Sequence, residues 1–224
     1  MNVIHFFDAI DKSLFLFFNG IHASFFDGIM FAISGKFTWF PLYAAVIYVI
    51  VERWKKDGVI AILSIILCLI IADQLSSHLI KELVQRPRPS HADDLKGMVH
   101  LVRDYTGGAY GFVSSHAANS VGFAMLTILI FKRSSYSIAI AFWAFLVGYS
   151  RVYIGVHYPF DVIGGVLVGL FAAFVCFELL KRYHPKKHQV YGSNTALEHP
   201  KTRLLIAIFG LNLIGTVIYS LFFF

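Results

Sequence analysis

The sequence predicts an all-α fold: a polytopic membrane helix bundle of about six spans, preceded by short interfacial N-terminal helices. Three observations predict it. The 224 residues are 58% hydrophobic and only 14% charged, with a mean hydropathy of +0.69, too apolar for an ordinary water-soluble domain. The apolar residues come in long runs, and a helix needs roughly 20 of them to cross a bilayer. The charges collect in the short segments between those runs.

The N-terminal part, residues 1–36, is the least regular. "FLFFNGIHASFF" is interrupted by Asn19-Gly20 and bounded by Lys12 and Asp27. Ile10–Ser34 therefore reads as two short helices lying at the interface or dipping into it, ahead of the alternative of a full span. Asn19 and His22 are placed at that interface. The membrane core covers 37–182, with spans at about Phe37–Val51, Val59–Leu79, His116–Phe131, Tyr136–Gly155 and Val162–Leu180. Residues 183–202 form a hydrophilic linker in which Gly192-Ser193-Asn194 suggests flexibility. An additional span, Leu204–Phe224, follows. Cys68 and Cys176 both lie in apolar runs, which argues against a disulfide scaffold. "MNVIHFFDAIDKSLF" lacks a basic n-region and a small-residue cleavage site, so no removable signal peptide is expected.

The net charge is +6, from 19 Lys and Arg against 13 Asp and Glu. In a water-soluble chain that excess would raise nucleic acid as a partner. Here it is assigned to positive-inside loops and an anionic substrate, and no nucleic-acid partner is expected. The turns "ERWKKDG", "FKRSSYS" and "KRYHPKKH" alternate correctly to be cytoplasmic, the linker with them. The loop Lys81–Ser115 and the loop holding His157 then share the outer face. The first of these is itself basic, against the rule, and function offers a reason.

Three clusters fall on that face. In "KELVQRPRP", Lys81 ends an apolar helix and Arg86 and Arg88 each precede a proline, which turns the chain extended. Taken alone, these are the snorkelling cations of any helix end. Arg86 is assigned to substrate or lipid headgroups. In "GGAYGFVSSHAANS", Ser114 and Ser115 precede His116 at the start of a helix, whose unpaired N–H groups suit an anion. A serine N-cap explains Ser114 equally well, but not His116. In "RVYIGVHYPFDV", Pro159 fits the first turn of a helix and places Asp161 in it. An acid there complements the helix dipole. It also stands four residues after His157, where it can fix one imidazole nitrogen and leave the other free. Together the clusters bring Lys81, Arg88 and Arg151 beside two histidines, a set suited to a highly charged phosphoryl group. Asp73, within an apolar helix eight residues before Lys81, is read as a tie between helices. Asp93, Asp94, Lys96 and Arg103 are read as a solvated loop.

These residues resemble the three motifs of the type 2 phosphatidic acid phosphatases, the PAP2 superfamily. Lys81, six residues, then Arg88-Pro89 resembles the first. Val113–His116, "VSSH", resembles the second, usually Pro-Ser-Gly-His. Ser150-Arg151, five residues, His157, three residues, Asp161 resembles the third. The resemblance covers roughly Phe37–Leu180. It implies that His157 is the nucleophile of a phosphohistidine intermediate, that Asp161 orients it, and that His116 is the general acid. Lys81, Arg88, Ser114 and Arg151, with the backbone N–H at Ser115, would hold the phosphate. No metal and no other cofactor is implied. Two departures are Val113 and Ser115, in the places of the proline and the glycine.

The expectation is an integral membrane lipid phosphatase acting on a polyprenyl diphosphate, phosphatidylglycerophosphate, phosphatidic acid or lipid A. Its partners would be that substrate and membrane lipids, in a bacterial inner membrane with the site on the periplasmic face. The alternatives are a transporter or a non-catalytic lipid-binding protein. A transporter distributes ionisable residues along the depth of the bundle, whereas here they gather at one rim with Asp73 as the exception. A lipid binder has no need of two histidines and an aspartate in this pattern.

Overall fold

A computed structural model describes residues 3–183 and 201–224. The expected linker, with Gly192-Ser193-Asn194, lies outside the described residues apart from its ends. The described chain is helical with no strands.

Two helices open the chain, α1 (Val3–Gly20) and α2 (Ser24–Ser34). They meet at 117°, so residues 3–34 do not make one straight span. The first starts earlier than the Ile10 expected. Asn19 is buried: its amide donates to the carbonyls of His100, Val152 and Tyr153 and its oxygen accepts from His100 N–H.

Helix α3 (Phe40–Trp54) ends where Lys55 takes φ 52°, and α4 (Gly58–Asp73) folds back on it. A Cβ at Gly58 would lie 2.9 Å from the Ile50 carbonyl oxygen. In a straight helix, residues eight apart are separated by about 12 Å along the axis, so the contact requires the reversal. Past Asp73 the helix widens into a π-helical stretch, Gln74–Ile80, before a last α turn, α5 (Lys81–Val84). Gln85 in the left-handed region closes it, just ahead of Arg86-Pro87. The core is completed by α6 (Ser115–Phe131), α7 (Ser134–Tyr153), α8 (Pro159–Tyr183) and α9 (Lys201–Phe223). Among the described residues, the stretches 37–84, 159–183 and 202–223 are long and apolar enough to cross a membrane. The first of them contains the reversal between α3 and α4.

Helix α8 packs centrally, on α6 and α4, and small residues permit it. A Cβ at Gly165 would meet the Ser114 carbonyl and come within 2.9 Å of Ala117 Cβ; one at Gly169 would meet the Ala118 carbonyl and stand 2.8 Å from Gly122 N. Close backbone approach is how membrane helices gain dispersion contact where lipid leaves little hydrophobic drive between them. Aromatic side chains fill the space between α3, α6 and α7: Trp39, Tyr43, Phe123 and Trp143 meet edge to face. At the rim away from the motifs, Trp54 stacks on Phe131, so the basic turns at Lys55–Lys56 and Lys132–Arg133 lie together. Cys68 and Cys176 are both buried free thiols.

Candidate active site

The three motif loops converge at the other rim. The extended segment Arg86–Arg88 pairs with Ala109–Gly111: Gly111 N–H donates to the Arg86 carbonyl at 2.8 Å, and Arg88 N–H to the Ala109 carbonyl at 3.2 Å. This short pairing sets Arg88 beside His157. Gly107 has φ +71°, and a Cβ there would lie 2.9 Å from the Arg88 guanidinium. The glycine-rich run is therefore needed both for its turn and to let the guanidinium lie flat against the backbone.

His157 is 1% exposed in the loop between α7 and α8. Its Nε2 faces Arg88 Nη1 at 3.1 Å, and its Nδ1 faces Asp161 Oδ2 at 3.3 Å. Guanidinium only donates, so Nε2 holds the lone pair and Nδ1–H donates to the carboxylate. Burial, and then the charges of Arg88, Arg151 and Lys81, hold the imidazole well below its ordinary pKa range. The ring is thus neutral, with its Nε2 lone pair accepting from Arg88 and turned toward the cations.

Asp161 is fully buried in the first turn of α8. Its Oδ2 also accepts Tyr158 N–H at 3.0 Å, and its Oδ1 accepts from Arg86 Nη1 at 3.1 Å. Arg86, expected toward substrate or lipid headgroups, is engaged by carboxylates. Its Nη1 also bonds Asp11 at 2.6 Å and its Nη2 bonds Asp8 at 2.9 Å, while the guanidinium stacks over Tyr158 at 3.9 Å. Asp11, from α1, was not singled out in the sequence. It is completely buried and its second oxygen accepts Phe160 N–H at 2.9 Å, serving one of the orphan donors of α8.

The cations that bear on His157 are Arg88, Arg151 and Lys81. Arg88 also donates to the Val156 carbonyl, and burial lowers its pKa from the ordinary value. Arg151 is 3% exposed, bonds the Ser34 hydroxyl and lies over the Tyr105 ring. The Nε atoms of both arginines are buried without a hydrogen-bond partner. Lys81 reaches the Ser115 hydroxyl at 3.5 Å. Ser114 is in place but occupied: its hydroxyl accepts Ala117 N–H as the N-cap of α6, and its own N–H donates to the Asp161 carbonyl. Ser115, first residue of α6, leads the helix with its N–H in the position where no intrahelical acceptor exists.

His116 and Ser115 open onto a cavity of about 480 Å³ between α2, α3, α4, α6 and α7. Lys36, Asp73, Gln74 and Asn119 line its polar part, and Trp39, Tyr43, Ile66 and Ile70 its apolar part. The cations Arg151, Lys36 and Lys81 act on His116. Lys36 is a cation the motif pattern does not contain. Asp73 Oδ1 accepts from Asn119 and Ser77, tying α4 to α6 as expected. The solvated loop also proves engaged: Asp94 pairs with Lys12 at 2.7 Å, and Arg103 donates to the Phe223 carbonyl. Among the described residues no group of three His, Cys, Asp or Glu is placed to hold a metal.

Comparison with known proteins agrees with this arrangement. The family model described as the PAP2 superfamily matches residues 37–185. A lipid A 4′-phosphatase of Bacteroides thetaiotaomicron is 35% identical over 98% of this chain and 99% of its own length. One from Porphyromonas gingivalis is 36% identical over 76% of this chain and 72% of its own. The crystal structure of LpxE from Aquifex aeolicus superposes with a TM-score of 0.57 at 25% identity, covering 75% of this chain and 94% of that one. A transmembrane PAP2 type phosphatidylglycerolphosphate phosphatase from Bacillus subtilis shares the fold, with a TM-score of 0.59 at 22% identity over 81% of this chain and 88% of that one. Motif spacing, converged side chains and matched fold lead to one assignment: this integral membrane chain belongs to the PAP2 superfamily.

Proposed function

We propose that this chain hydrolyses a phosphate monoester of an acylated amino-sugar lipid, of the kind removed by a lipid A 4′-phosphatase, through a phosphohistidine. The observation that carries the chemistry is the buried Asp161–His157–Arg88 line, which presents a neutral imidazole Nε2 to the cations. The near full-length likeness to a lipid A 4′-phosphatase supports the substrate class. So does the lining of the cavity beside His116: Asp73, Gln74 and Asn119 suit hydroxyl and amide groups, and the apolar depth suits acyl chains.

In this mechanism Arg88, Arg151 and Lys81 take the phosphate oxygens, with the Ser115 N–H. Nε2 attacks phosphorus in line as the P–O bond to the sugar breaks. His116, as the imidazolium, gives its proton to the departing oxygen. The charge left on the phosphorylated His157 ring is balanced by Asp161. Water then enters, His116 takes one of its protons, and the oxygen attacks phosphorus. The P–N bond breaks, inorganic phosphate leaves and Nε2 regains its lone pair. The phosphoryl charge in flight is spread over oxygens that three cations already face, which is where electrostatic catalysis acts. The Lys and Arg turns at the opposite rim support an orientation with this site on the periplasmic side of a bacterial inner membrane.

The test is phosphate release by purified protein in detergent with chelator, from lipid A, phosphatidylglycerophosphate, phosphatidic acid and undecaprenyl diphosphate, with His157→Ala as blank. Mass spectrometry of the lipid product locates the phosphate removed. Loss of the 4′-phosphate alone, absent in the blank, is the expected result. Faster release from a glycerolipid or a diphosphate overturns the substrate class, and activity that survives His157→Ala overturns the mechanism. Lys96→Cys in a Cys68→Ser, Cys176→Ser background should be labelled in intact cells by an impermeant reagent; protection reverses the orientation.

A further inference from the structure

We infer that Asp11 and Arg86 form a positioning relay that fixes Asp161 against His157, so that helix α1 completes the active site from outside the segment carrying the three motifs. The inference rests on His157 being the nucleophile. Asp161 needs its two oxygens held apart in role: Oδ2 takes His157 Nδ1–H and Tyr158 N–H, and Oδ1 takes Arg86. Without Arg86 the carboxylate has one anchored edge and one buried, unanswered oxygen. With it, rotation of the carboxylate is blocked.

Arg86 is itself located by groups other than Asp161. Asp11 and Asp161 share its Nη1, at 2.6 and 3.1 Å, Asp8 takes Nη2, and the plane rests on Tyr158. Tyr158 belongs to the same turn that donates its N–H to Asp161. Asp11 closes the loop by accepting Phe160 N–H, one residue before Asp161. Asp11 and Asp161 are both completely buried, and two carboxylates in one dry site repel unless a cation lies between them. Arg86 is that cation. It sits on the Asp161 side of the imidazole, whereas Nε2 and the phosphate-side cations lie on the other. It therefore acts through Asp161 without touching substrate.

The charged and titratable groups that face the Asp161–His157 pair are Arg86 and Arg88 from the first motif, Lys81 from α5, Arg151 from α7, His116 from α6 and Asp11 from α1. Removing Arg86 leaves the same acids with one cation fewer. Protonation of the His157–Asp161 pair then becomes easier, and the acid limb of the rate moves to higher pH.

The experiment compares wild type with Arg86→Gln, Arg86→Lys, Asp11→Asn and His157→Ala. Each is assayed for phosphate release and KM from pH 4 to 9, with thermal unfolding in detergent as the folding control. For Arg86→Gln, kcat should fall about 10- to 100-fold, the range for a lost bond to a charged group. KM should stay unchanged and the acid limb should rise by about one unit or more. Arg86→Lys should recover part of both. Asp11→Asn keeps an acceptor for Phe160 N–H while removing the charge that locates Arg86. It should lower kcat without raising the acid limb, since one acid fewer makes protonation of the pair harder, and it remains informative if Arg86→Gln fails to fold. A wild-type profile in Arg86→Gln, a uniform loss at every pH, or a rise in KM alone overturns the relay, the last by making Arg86 a substrate ligand. Activity surviving in His157→Ala overturns the phosphohistidine reading and the relay with it. Activity lost in His157→Ala but unchanged in Arg86→Gln overturns the relay alone.

Discussion

At the residue scale, the tautomer of His157 follows from neighbours that cannot exchange roles. Arg88 has only hydrogens to offer and faces Nε2, and Asp161 as a carboxylate has only lone pairs and faces Nδ1. In the proposed mechanism, protonating Nε2 removes the nucleophile. Burial and three cations hold that protonation below the ordinary imidazole value of about 6.5. Activity should therefore persist at pH 6, with the acid limb of kcat/KM below 6.5; a limb at or above that value rejects the depressed imidazole. His116 should behave differently. Its replacement by Ala should cost about 10²–10⁴ in kcat for an alkyl or sugar leaving group. For p-nitrophenyl phosphate, whose leaving oxygen needs little protonation, the cost should be small. Equal losses on both substrates remove His116 from the acid role. The convergence of His157, Asp161, His116 and the cations was legible in the sequence because each motif is local and chemically unusual in an apolar chain. Asp11 was not. It lies 75 residues from Arg86 and 149 from Phe160, and an acid on a short helix near the interface has an ordinary solvated explanation. Ser114 shows the reverse: its N-cap role was one of two open readings, and the cap geometry is the one observed.

At the element scale, the site stands on three helix ends. The starts of α6 and α8 lie at the motifs, and a π-helical stretch leads into Lys81 at the same rim. The core helices were legible to within a few residues, because long apolar runs leave few alternatives, although among the described residues only the stretches 37–84, 159–183 and 202–223 are long and apolar enough to cross a membrane. The π-helical stretch and the 117° bend between α1 and α2 were not, since no residue pattern distinguishes them from ordinary helix and loop. The α6–α8 contact governs whether the two helix starts stay in register. Gly169→Val should lower stability by about 1–3 kcal/mol through overpacking, read as a lower unfolding temperature in detergent, and should lower kcat with it. A Cβ at Gly215 of α9 meets nothing within 4 Å, so Gly215→Ala should leave both unchanged. Equal effects from the two substitutions would mean that α6–α8 proximity is not what the glycines provide.

At the scale of the whole molecule, the alternation of basic turns and motif loops divides the bundle into two rims, and that division was legible from Lys and Arg placement alone. The role of the last helix was not, because Leu204–Phe224 reads as any apolar span. Its far end returns to the motif rim and is held there. Ser220 donates to the Phe25 carbonyl at 2.8 Å, and a Cβ at Gly28 would press on Ser220 and Phe224. Arg103 donates to the Phe223 carbonyl at 2.8 Å and lies 4.4 Å over the Phe224 ring. Helix α9 thus fastens the loop between the first two motifs to α2. Arg103 and Asp104 both take positive φ, so the loop makes its turn at the point where it is fastened. Releasing it should loosen the approach to the site and leave the chemistry alone. Arg103→Ala should raise KM several-fold, hold kcat within about twofold, and lower the unfolding temperature by about 2–4 °C, the shift expected for roughly 1 kcal/mol in a chain of this size. Steady-state kinetics beside a thermal melt check it. A fall in kcat at constant KM would instead place the loop among the groups that act in the transition state.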